Sequence, residues 1–75
     1  MSKQKVIIKY EDGYFQEFES ISEMIEIKWK VLTYLGIADL DKNRQEEEFR
    51  VTRLAQKALR DHGKWVLGNG LVTKI

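Results

Sequence analysis

Catalysis calls for a nucleophile, a metal-ligand set or an acid–base pair held away from water, and this 75-residue sequence offers few side chains for any of them. It has no cysteine and one histidine, His62. That removes disulfides, thiolate nucleophiles and any ordinary zinc cluster built from one chain. His62 follows Asp61, but successive helical residues point about 100° apart, so the two do not form a dyad. Helical spacing instead sets His62 on an apolar face, packed against Trp65 or a sheet and close to the carbonyls of a helix C-terminus.

Carboxylates are numerous, at Glu17, Glu19 and Glu46 to Glu48. All fall on faces expected to be solvated, whereas general acid catalysis needs a carboxyl with a raised pKa in a partly desolvated site. Asp39-x-Asp41-x-Asn43 opens like a calcium loop, yet the positions that need a glycine and a bidentate glutamate hold Arg44 and Arg50. These residues read as helix caps. Gly68-Asn69-Gly70 is followed by no helix, as a phosphate-cradling loop would require, and reads as a turn. The expectation is a protein that is not an enzyme and uses no cofactor or metal.

What remains is a surface. Arg50, Arg53, Lys57, Arg60 and Lys64 recur at helical spacing and fall within about 80° of one another, centred some 150° from the apolar stripe of the same helix. Such a ridge fits an acidic protein partner or the phosphates of a nucleic acid, with Gly68-Asn69-Gly70 as a second contact. It also fits a plain solvated face, supported by an i, i+4 pairing of Glu46 with Arg50. Phe49 sits beside the ridge, either as an exposed anchor or as a cover for the end of the core near residues 37–42. Phe15 on the outer face of a sheet, and Trp29 at the edge of a helix, pose the same choice.

These side chains need elements to hold them. Lys5 to Tyr10 and Tyr14 to Phe18 predict a hairpin around Glu11-Asp12-Gly13, with Gly13 left-handed. That register puts Val6 opposite Phe18 and Tyr10 opposite Tyr14. It gathers Val6, Ile8, Tyr10, Tyr14 and Phe18 on one face, whereas a two-residue loop would set Ile8 against Glu17. Ser20-Ile21-Ser22-Glu23 is a capping box, with the glutamate reaching back to the serine amide. One helix runs from there to Gly36, and its broad apolar arc (Ile21, Met24, Ile25, Ile27, Val31, Leu32, Tyr34 and Leu35) suggests packing on both a sheet and a second helix. Ile37 folds back on Leu32 beyond the glycine.

Asn43, or alternatively Asp39 or Asp41, caps a second helix from about residue 43 to His62, with Val51, Leu54, Ala55, Ala58, Leu59 and His62 as its apolar face. Lys64 to Leu67 and Leu71 to Ile75 form a terminal hairpin.

The length allows one domain (1–75), and 43% apolar residues are too many for a disordered tail. No apolar run exceeds three residues, as at Val6-Ile7-Ile8, far short of a membrane span, so a cytoplasmic protein is expected. Net charge is +1, but residues 1–48 sum to −4 and residues 49–75 to +5. The predicted fold is α+β in the order β-β-α-α-β-β: two hairpins in one antiparallel sheet with two helices on one face; the strands at the chain ends could meet in its middle, with the strand order left open. A winged-helix arrangement is the alternative. The expected function is that of a non-enzymatic interaction protein, a regulator or inhibitor that binds a protein partner as monomer or homodimer. Phe49, Arg50, Arg53, Lys57, Arg60, Lys64 and Phe15 are the contact candidates, and a nucleic-acid-binding module is the alternative.

Overall fold

The computed structural model describes residues 4–75. Two hairpins, β1 (Val6–Tyr10) with β2 (Phe15–Phe18) and β3 (Trp65–Leu67) with β4 (Gly70–Lys74), enclose three helices, α1 (Ile21–Ile27), α2 (Trp29–Tyr34) and α3 (Arg44–His62). All strands join one antiparallel sheet in the order β2-β1-β4-β3. The chain ends therefore meet in the middle of the sheet. The terminal hairpin is thus built into one four-stranded sheet with the first hairpin through the β1–β4 pairing, as in the predicted two-hairpin sheet.

The first hairpin has the expected register, Val6 opposite Phe18, with the Tyr10 amide donating to the Tyr14 carbonyl at 2.8 Å and Gly13 at φ 90°. Alternation then puts Val6, Ile8, Phe18, Leu67 and Val72 on the inner face, where all are buried with Ile21, Met24, Ile25, Leu32, Val51, Ala55 and Leu59. The outer face carries Phe15, Lys9, Leu71 and Val66 in one row across the four strands.

Gly70 shows how tightly the inner face is packed. It lies opposite Tyr10, and a Cβ there would stand 2.8 Å from Ile8 Cγ2 and 3.0 Å from the Tyr10 ring. Gly70→Ala is expected to cost about 1–3 kcal/mol by overpacking, read as a lowered thermal midpoint. Of the two residues in the second turn, Gly68 adopts positive φ, at 62°, and Asn69 does not.

The helices depart from expectation in several places. Ser20 Oγ accepts from the Glu23 amide at 3.1 Å, as predicted, but the Glu23 carboxylate takes the amide of Glu19 rather than that of Ser20. The single helix expected to end at Gly36 is interrupted at Lys28, with ψ 17°. No proline or glycine stands there, so local chemistry does not dictate the break. Lys28 places its ammonium 5.7 Å from the Tyr10 ring centroid. Beyond the break, Ile37 and Ala38 amides return to the Leu32 carbonyl, the predicted fold-back.

The broad apolar arc is only half used. Ile21, Met24, Ile25 and Leu32 are buried, while Ile27, Val31, Tyr34 and Leu35 remain exposed. One small sheet and one helix cover a limited angle of α1 and α2, and none of the other described elements is laid over the rest. No helix among the described residues is long and apolar enough to cross a membrane.

Candidate partner-binding surface

α3 begins at Asn43, whose side chain accepts the Glu46 amide at 3.1 Å. Asp39 and Asp41 do not cap it; Asp39 accepts the Asp41 amide and shapes the loop before it. The helix ends at Gly63 in the left-handed conformation. Over its 19 residues it presents Val51, Ala55 and Leu59 to the core and turns the cationic residues outward.

The ridge is not uniform. Arg50 is tied down: its Nε donates to Glu47 Oε2 and its Nη2 to Glu47 Oε1, each at 2.8 Å, and Nη2 also reaches the Ile37 carbonyl at 2.7 Å. Glu47 in turn accepts the Asp39 amide at 2.8 Å. Contrary to the expectation that Glu46 to Glu48 are all solvated, Glu47 is only 3% exposed. It also displaces Glu46 as the partner of Arg50. Carboxylate, guanidinium and two loop backbone groups thus form a latch that pins residues 37–39 to α3. Hydrogen bonding from Arg50, then from the Asp39 amide, outweighs burial and draws the Glu47 pKa from 4.5 to about 2. The same bonding raises that of Arg50.

Arg60 contacts Asp61 at 3.2 Å. Lys64, expected on the ridge, lies beyond the left-handed Gly63 and so outside α3; neither it nor Arg53 and Lys57 on the helix makes a salt bridge among the described residues. Arg50, Arg53, Leu54, Gln56, Lys57 and Arg60 line a shallow open groove of about 420 Å³ along the helix.

Apolar side chains flank these cations. Phe49 is 66% exposed, so it does not cover the end of the core, and the Arg53 guanidinium lies 5.7 Å from its ring centroid. Leu54, expected on the buried stripe, is 44% exposed. His62 is likewise exposed rather than packed on Trp65. Sequence reasoning missed Leu54 as a surface residue and Glu47 as a buried one. Both lie at the margins of the helical stripe, where the packing neighbour decides burial.

Phe15 is 57% exposed on the outer sheet face, on the far side of the sheet from α3. Trp29 is half-buried beneath Arg44, 5.1 Å from its guanidinium. The second turn lies beside Leu35 and Tyr10, and its residues border a separate depression with Lys9 and Val66. The ridge and the turn are thus not joined in one groove.

Fold and surface define a small α+β domain with a cationic helix face bordered by exposed apolar side chains. No family model, no curated protein and no solved structure matches the chain, so its function is read from that surface alone.

Proposed function

We propose that this is a non-enzymatic interaction module that binds an acidic surface of a protein partner through α3. The observation that carries the reading is Phe49, exposed with the Arg53 guanidinium 5.7 Å from its ring centroid, where Arg53 in turn shares a groove with Lys57 and the exposed Leu54. A solvent-facing aromatic among arginines, with a second apolar side chain within the same surface, has the composition of an interface centre rather than of a purely solvated face. Arg53 and Lys57 would meet partner carboxylates, and Phe49 and Leu54 would fill apolar recesses. Arg50 would shape the surface without changing partners, since Glu47 already holds it.

A nucleic-acid-binding role along the same ridge is the second reading, and it has a measurable signature. With Arg53 and Lys57 on α3 and Lys64 just beyond its end as the uncompensated cations, three phosphate contacts would give a log–log salt slope near −2.7 on duplex DNA, a loss of about 40-fold between 50 and 200 mM salt. Anisotropy with labelled mixed-sequence DNA and RNA tests this directly.

The protein reading is tested by affinity capture with the wild type, Phe49→Ala and a combined Arg53→Ala, Lys57→Ala, Arg60→Ala variant. Phe49→Ala is expected to weaken capture by about 10-fold or more, and the triple variant to abolish it. Melting temperatures should stay close to wild type. Capture that is indifferent to both variants would refute the assignment of α3.

A further inference from the structure

We infer that the β2 edge is a homodimer interface, at which two copies pair antiparallel about a two-fold axis at Gln16 and merge their sheets into one of eight strands. The inference is independent of the α3 reading and starts from the hydrogen-bond phase of the first hairpin. Hydrogen-bonded and non-hydrogen-bonded pairs alternate along an antiparallel ladder. The Tyr10–Tyr14 bond therefore fixes Ile8–Gln16 and Val6–Phe18 as bonded pairs. Phe15 and Glu17 consequently point their amides and carbonyls away from β1, and none of these four groups has a partner among the described residues.

Natural edges are guarded by proline, charged side chains (lysine above all), bulges or very short strands. β2 reads Phe-Gln-Glu-Phe: it has no proline, lysine or bulge, and its one charge, Glu17, alternates onto the outer face. The opposite edge is better protected: β3 has three residues, only Val66 faces outward in its ladder, and Lys64 precedes it.

The two-fold register is then selected by the groups themselves. Centred on Gln16, Phe15 of one copy opposes Glu17 of the other, twice, so all four free groups are paired by four hydrogen bonds. Tyr14 falls opposite Phe18 of the second copy, an aromatic cross-strand pair, and Gln16 meets its own counterpart, where two amides can bond each other. Centred on Glu17 instead, like charges would meet at the axis. That register would also call on the Glu19 amide, which already donates to Glu23 at 2.8 Å.

α1 packs against β2 and α3, while α3 packs against β3 and β4; the pairing at the β2 edge therefore rests on the backbone groups of Phe15 and Glu17.

Sedimentation of the full chain from low-micromolar to near-millimolar concentration is the test, together with Gln16→Lys and Gln16→Glu. Wild type is expected to sediment as a dimer. Each variant, folded by circular dichroism, should dissociate at least about tenfold more readily because like charges meet at the axis. An equimolar mixture of the two should restore association. In parallel, exchange of the Phe15 and Glu17 amides should slow with wild-type concentration, and that of Val66 should not. A wild type that is monomeric throughout the range, a dimer indifferent to both variants, or folded variants that do not associate on mixing would each overturn the inference.

Discussion

Ile8→Ala is expected to lower the thermal midpoint by about 10–25 °C, the result of losing about 2–5 kcal/mol of stability in a domain of this size. Ile8 is fully buried on β1, the strand flanked by β2 on one side and β4 on the other, and no neighbour can collapse into the space without distorting a ladder. A domain of this length has only about 4–11 kcal/mol of total stability, so the variant should be partly unfolded near body temperature. Ile7, the next residue, points to the outer face and is half-buried. Ile7→Ala should cost clearly less. Melting curves of the two variants followed by circular dichroism check this contrast, and equal losses would contradict the face assignment of β1.

The second large effect concerns the latch. Glu47 has a folded-state pKa of about 2 against an ordinary 4.5, so folding favours its ionised form. Its contribution is complete above about pH 4.5 and is lost as pH falls toward 2, because the unfolded chain then binds a proton that the folded chain resists. Wild-type melting temperature should therefore drop across that window. Glu47→Gln should be less stable than wild type at neutral pH, with a flatter profile between pH 4.5 and 2. Arg50→Ala should behave similarly, and the double variant should lose less than the two single losses combined, since both remove one shared network. Glu46→Gln, on an exposed side chain outside the latch, should leave the melting temperature at neutral pH close to wild type. Thermal melts at stepped pH distinguish these outcomes. The latch also holds residues 37–39 against α3, so its loss should loosen that loop before the sheet.

Much of this was legible locally. The hairpin register followed from alternation, because only the three-residue loop keeps Val6, Ile8 and Phe18 on one face, and a one-residue slip would have exposed them all. Ser20, Asn43 and Gly63 marked helix ends because capping depends on a side chain or φ angle within a few residues of the end. The cationic ridge was visible from spacing alone, for the same reason that its outward direction was: it lies opposite Val51, Ala55 and Leu59. What failed lay at boundaries. Leu54 and His62 share helical spacing with the core yet emerge at its rim, and Glu47 looked like one of three equivalent acids until Asp39 and Arg50 came to it from elsewhere.

By itself, then, the sequence determined the two hairpins, the long helix α3, the first hairpin's register, the caps and the charge pattern, since each depends on contacts a few residues apart or on strict periodicity. The tertiary structure alone decided the strand order with β1 beside β4, the break at Lys28, the Glu47–Arg50–Ile37 latch, and which half of the apolar arc of α1 and α2 stays exposed. Those depend on groups brought together across the chain, whose burial and pairing are set by what packs opposite them.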